Sequence, residues 1–424
     1  MKSPIHLILF ISILLSINSF QYNSITTQDN IFEEKNSCDS IIDEIKIKSS
    51  GSPLIWKYFT EDQVYSVAFS GDSKYLASGG DLTLGQLFLF NTTNSVPIWN
   101  YTIGNRIRSV ALSETGRYLV AGSDTQHLYY FNTKNPTPIW SCPTGWGGIK
   151  VAISSNGRYI ACEGANNIYY FHNTSSIPYW TYNTGAITGA VDISADGQYI
   201  VGGSENGFIY LFHNTSSTPL WSYNSSGSIM DVSISANGEY ITAANLGTNN
   251  YIYLFHKESS TPIWSFSLEA NFVPRECLEI SADGNFIIAG TFQQMLYLFH
   301  KSSSIPVWDF STSHWWGGVD ISANGCVIVA STATDILLFE KKNHIPKWIF
   351  MTNSSYRHIT ISTDGRLIAG GYQDGYVYLL NSTVMGCSVI ANNKISGYPM
   401  VLTIFLVISI NLIYINKRLR KLNR

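Results

Sequence analysis

Tryptophan returns along this sequence at an almost constant interval. It stands at Trp56, Trp99, Trp140, Trp180, Trp221, Trp264, Trp308 and Trp348, with gaps of 43, 41, 40, 41, 43, 44 and 40 residues. A proline lies two positions before each from Trp99 onward, and Pro53 lies three before Trp56. A fixed period of about forty residues means one supersecondary unit copied along the chain. A single copy cannot bury its own apolar face, so the copies must pack on one another.

Each period carries the same four segments. A short apolar alternation ends in serine: VAFS from Val67, VALS from Val110, VAIS from Val151, VDIS from Val191, VSIS from Val232, LEIS from Leu278, VDIS from Val319 and ITIS from Ile359. A turn follows, commonly Asp-Gly or Asn-Gly as at Asp196-Gly197 and Asn237-Gly238, and then a second strand such as YIVGGS from Tyr199. An aromatic strand comes next (LFLFN, LYYFN, IYYFH, IYLFH, IYLFH, LYLFH, ILLFE, VYLLN), and the Trp strand completes the set. Two-residue alternation of β-branched and aromatic residues makes half-buried strands, and glycine after Asp or Asn closes tight hairpins. Four short strands per period, packed radially, bury both sheet faces and protect the edges. The expected fold is all-β: an eight-bladed β-propeller of four-stranded antiparallel blades over residues 53–383.

Two families share these residues. The S-x-D-G-x-Y-I-x-x-G-S stretch resembles a WD40 repeat, although the usual Gly-His and Trp-Asp pairs are absent. The segment YLFHNTSSTPLWSYN from Tyr210 resembles the tryptophan-docking motif of PQQ-type propellers, with Leu211 and Leu254 each ten positions before a register tryptophan. The first Trp strand precedes the first V-x-I-S strand, and the last aromatic strand has no Trp strand after it. WD40-like closure therefore implies that the segment around Trp56 completes the eighth blade.

Both ends carry membrane signals. Residues 1–19 combine Lys2 with an apolar run from Leu7 to Ile17, the layout of a secretory signal or of an uncleaved signal anchor. A linker over 20–52 leads to the propeller, and a juxtamembrane segment over 384–397 follows it. Residues 398–415, YPMVLTIFLVISINLIYI, hold no charge and match a short transmembrane helix. The tail 416–424 is basic, with Lys417, Arg418, Arg420, Lys421 and Arg424. By the positive-inside rule it stays cytoplasmic, which puts the propeller on the extracytoplasmic side of a cell membrane.

Composition narrows the partners. Charged residues make up 13% of the chain and the net charge is −3, so no basic footprint for nucleic acid is present. Of six cysteines, Cys38 and Cys387 flank the propeller, where closure brings them together for a disulfide in an oxidising exterior; two free thiols is the alternative. Cys142, Cys162, Cys277 and Cys326 read as small buried residues. Sequons at Asn91, Asn100, Asn173, Asn214, Asn224, Asn353 and Asn381 are sites for N-glycosylation, in a number that chance alone would also supply.

Chemistry is hard to find. Quinoprotein dehydrogenases share this architecture, but vicinal cysteines and a clustered calcium cage are missing, as are G-x-S-x-G and H-E-x-x-H. His172, His213, His256 and His300 recur at equivalent strand ends, which repeat symmetry explains better than a metal site. No cofactor and no metal are expected. Binding is the better reading, through the variable loops that enter each innermost strand. They hold Arg106, Arg108, Trp146, Lys150, Asp231, Arg275, Glu276, Trp315, Trp316, Arg357 and His358. Trp146, Trp315 and Trp316 fall outside the eightfold register, so blade packing does not call for them. Arg108, Trp146, Lys150, Arg275, Trp315, Trp316 and Arg357 form the expected binding set; the bland alternative has the tryptophans plug the central channel. The sequence thus reads as a membrane-anchored, non-enzymatic scaffold for a protein or glycan. An envelope-assembly propeller and a PQQ-dependent dehydrogenase are the alternatives.

Overall fold

A computed structural model describes residues 52–383, apart from 82, 146–148, 270, 271, 353 and 355 and the side chains of 269, 356 and 357. The signal segment, Cys38, Cys387, the apolar run 398–415, the basic tail, Trp146, Asn353 and the Arg357 side chain lie outside the described residues. Among the described residues no helix is long and apolar enough to cross a membrane.

Among the described residues thirty-two strands, β1 to β32 in chain order, form eight antiparallel sheets of four. The first blade runs from β2 (Val64–Phe69) through β3 (Tyr75–Gly80) and β4 (Gln86–Asn91) to β5 (Pro97–Thr102). The innermost strands of the other blades are β6 (Ile107–Leu112), β10 (Val151–Ile153), β14 (Thr188–Ile193), β18 (Ser228–Ile234), β22 (Leu278–Ile280), β26 (Trp316–Ile321) and β30 (Tyr356–Ile361). Each touches the next, and β30 touches β2, which closes the ring. In the eighth blade β1 (Leu54–Phe59) pairs with β32 (Tyr376–Asn381), and Trp56 lies opposite Leu379. The closure implied by the WD40 resemblance is the observed one.

Local chemistry makes each hairpin. In the fourth blade the Ser194 hydroxyl donates to Asp196 Oδ1 at 2.6 Å and accepts the Tyr199 amide at 3.0 Å. The side chain thus ties off backbone that the ladder cannot reach. Gly197 takes a φ of +74°, and a Cβ there would lie 2.4 Å from the Tyr159 ring of the preceding blade. The turn needs glycine both for its left-handed backbone and for the close approach.

The register tryptophans clasp neighbouring blades. Seven of them donate Nε1–H to a carbonyl in the next blade at 2.7–3.0 Å, from Trp56 to Thr92 through Trp308 to Lys341. The same seven rings lie 5.2–5.9 Å from a phenylalanine of that blade, Phe90 through Phe339. Trp348 differs. Leu380 holds the place of the phenylalanine, and the buried Nε1 has no hydrogen-bond partner. The ten-residue spacing is also explained, since Leu211 and Leu254 are the cross-strand partners of Trp221 and Trp264.

Candidate functional site

The ring has two unlike faces. The short serine-tied turns and the connections into the Trp strands lie on one, the turn face. The loops that enter the innermost strands lie on the other, the loop face, together with the turns between second and third strands.

Polar residues on the innermost strands serve the seams between blades. Backbone amides of one blade donate to side chains of the blade before it: Val110 to Ser66, Val151 to Ser109, Ile234 to Asp192, Ile280 to Ser233 and Ile361 to Asp320, at 2.8–3.3 Å. Across the ring closure the Val67 amide donates to His358 Nδ1 at 3.4 Å. A cavity of about 280 Å³ lies on the axis inside this belt. Asp192, Glu279 and Asp320 line one side of it, and Ala68, Ala111 and Ala152 line another.

Towards the loop face the axis is crossed by charge. Lys150 Nζ reaches Asp231 Oδ1 at 2.9 Å and Glu276 Oε1 at 3.7 Å, and Glu276 Oε2 lies 3.0 Å from His358 Nε2. These residues come from the third, fifth, sixth and eighth blades, so one linked group straps the axis. Glu276 takes a φ of +62°, a strained conformation for a residue other than glycine. Burial opposes its ionisation, yet Lys150 and His358 hold its carboxyl far below the usual range. Burial likewise works against the Lys150 ammonium, which Asp231 and Glu276 hold well above its ordinary value.

The other axial acids move the opposite way. Burial pushes Glu279 well up, helped by Asp320 beside it, and pushes Asp192 from 3.8 to about 6 despite two amide donors. A carboxyl raised on folding binds its proton more tightly in the native state. Its contribution is therefore complete below about pH 4 and is lost as pH climbs through about 6. In Asp192→Asn this part of the pH dependence disappears. The stability difference between wild type and variant should change by up to about 3 kcal/mol between pH 4 and pH 7. Urea unfolding at both pH values measures it, and a constant difference would show that Asp192 does not titrate there.

The expected binding residues separate into groups. Arg108 holds Asp124 with two nitrogens, at 2.7 and 3.1 Å, and Arg106 pairs with Asp81 while its guanidinium lies 4.9 Å from the Tyr65 ring centre. Lys150 belongs to the axial strap. Trp316 begins β26 and is only 4% exposed, inside the apolar core; its ring would meet a Cβ built on Gly290 at 3.1 Å. The expectation that packing has no need of Trp316 is corrected, because this glycine makes the space its ring fills. Trp315 is 58% exposed. Its ring stands edge-on to Phe292 at 5.7 Å, and Phe292 stacks on Phe272 at 5.1 Å. Arg275, in the loop that carries Phe272, is exposed and lies 3.7 Å from Glu205. The tryptophans therefore do not plug the axis where they are described; the charged strap crosses it.

The four repeated histidines stay apart, each in its own blade, with rings edge-on to Tyr159, Tyr199, Tyr240 and Phe286. Cys142, Cys162 and Cys277 are buried and Cys326 is half-buried. Among the described sequon asparagines, Asn100 and Asn224 are exposed, on outer strands.

The family described as WD40, "WD domain, G-beta repeat", matches over residues 55–84. That stretch includes the closing strand and the first hairpin of a ring with eight four-stranded blades. The chain is a WD40-like propeller. No curated protein sequence matches it. Among solved structures, the WD40-like propeller is similar to Sqt1 of Chaetomium thermophilum, bound in its crystal to the N-terminus of ribosomal protein L10. The identity is 14%, the TM-score is 0.68, and the match covers 78% of this chain and 100% of that one. As many as 1895 solved chains resemble the WD40-like propeller, so the likeness identifies its architecture and not its task.

Proposed function

We propose that this propeller is a non-enzymatic protein-binding scaffold, tethered to a membrane by residues 398–415 with the ring on the extracytoplasmic side. The observation that carries the binding part is the stack of Trp315, Phe292 and Phe272 on the loop face. A rigid aromatic group in water is disfavoured unless a partner covers it, and exposed tryptophan is a common interface anchor. The similar propeller bound to the terminus of a ribosomal protein supports a peptide segment over a sugar. The tether rests on the uncharged run and the basic residues after it.

A photo-cross-linking residue in place of Phe292, in the full chain in its native membrane, tests the reading. A discrete protein adduct is expected, reduced at least tenfold by adding Trp315→Ala, while that substitution shifts stability by less than about 1 kcal/mol. An adduct that glycosidase removes would favour a glycan instead. An adduct unchanged by Trp315→Ala would remove the aromatic stack from the interface.

A further inference from the structure

The most exposed large apolar side chains of the described propeller are not on the loop face. Ile177 and Ile305 are each 76% exposed, Tyr179 67% and Val96 64%, all more open than Trp315. Ile177, Ile305 and Val96 sit in the connections that lead from third strands into Trp strands, and Tyr179 is the last residue of one. Each therefore lies at the turn face. Every such connection follows a turn held by its own side chains, as where Ser175 and Ser303 accept the amides of Ile177 and Ile305 at 2.9 Å. The apolar tips are presented on stiff loops.

Both described ends of the propeller leave from this same face. The Asn381 amide donates to the Pro53 carbonyl at 2.7 Å, where other blades have a closed connection. From there the fourteen residues 384–397 lead to the uncharged run, spanning at most about 50 Å when fully extended. Seating the turn face downward needs no detour. Seating the loop face downward makes the tether climb the height of a six-residue strand, roughly 20 Å.

Charge indicates the kind of surface. On the turn face the exposed Lys134, Arg158 and Arg366 stand among the exposed Glu114, Asp196 and Asp283. Interspersed charge of both signs suits zwitterionic headgroups and does not require an anionic membrane. Protruding isoleucine and tyrosine suit the boundary between headgroups and acyl chains, where apolar area gains from leaving water.

We propose that the propeller rests turn face down on its own bilayer, with Val96, Ile177, Tyr179 and Ile305 dipping into the headgroup layer. The loop face with Trp315 then points away from the membrane. This seating depends on the tether in the preceding section.

Amide hydrogen exchange tests it with the full chain in phosphatidylcholine nanodiscs and in detergent micelles. In nanodiscs, exchange over 93–96, 174–177 and 302–305 should slow at least fivefold, with 291–294 and 312–315 unchanged. Combining Val96→Ser, Ile177→Ser and Ile305→Ser should abolish the slowing without altering exchange in the innermost strands, which shows that the ring still folds. Retention of the chain by the membrane through alkaline carbonate, without protection of these turns, would overturn the seating and leave the tether standing. Protection at 312–315 instead would reverse the orientation. Release of the chain by carbonate would remove the tether, and the seating with it.

Discussion

Lys150→Met should destabilise the propeller by about 3–5 kcal/mol, because it leaves the buried Asp231 carboxylate with no compensating cation. Asp231 is 1% exposed, and its Oδ2 already lacks a hydrogen-bond partner. Without the ammonium at 2.9 Å it must take up a proton or stay ionised in a poorly solvated place. Glu276 keeps His358, so the damage concentrates on the fifth blade. Adding Asp231→Asn to Lys150→Met should recover more than half of the loss, since neutralising both partners removes the uncompensated charge. Urea denaturation of the two variants measures this. A loss below about 1 kcal/mol for Lys150→Met would mean that water reaches the axis freely enough to replace the strap.

Trp221→Ala should cost about 3–5 kcal/mol, the usual range when a large aromatic is deleted from a packed site. Trp221 donates to the Lys257 carbonyl at 2.8 Å and lies 5.3 Å from Phe255, so one residue joins two blades by contact and by hydrogen bond. Comparison with Trp348 separates the parts. Trp348 has no acceptor for its Nε1 and no phenylalanine opposite. Trp221→Phe should therefore cost about 1–1.5 kcal/mol more than Trp348→Phe, the worth of one hydrogen bond. Equal costs would mean that the indole N–H adds nothing net over water. Near-wild-type melting of Trp221→Ala would refute the clasp altogether.

The fold could be read from the sequence because its determinants are local and repeated. The Asp-Gly turns, the two-residue alternation and the proline before each tryptophan lie within one unit, and eight copies average out any irregular one. The site resisted the same reading because it is made between units. Lys150 and Asp231 are 81 residues apart, and nothing near either says that a ring will bring them to 2.9 Å. Both stand just before the first valine of the V-x-I-S strand, where other blades carry Ser66, Ser109 or His358. The variation at that place was the available signal: a position facing the axis is shared by all blades and need not be repeated by each. The neighbouring Trp315 and Trp316 also held a clue. Trp316 opens the innermost strand and is buried, while Trp315 lies in the loop before it and is exposed, so only one of the two is available to a partner.

Leu380 has a mechanical consequence. Seven joints around the wheel have a buckle at the outer edge, and the joint between the seventh and eighth blades has none. Pulled outward, the wheel would part at that joint before the eighth blade itself, which the first and last described strands sew together, comes undone. The seam without a buckle thus borders the very blade in which the first and last described strands pair.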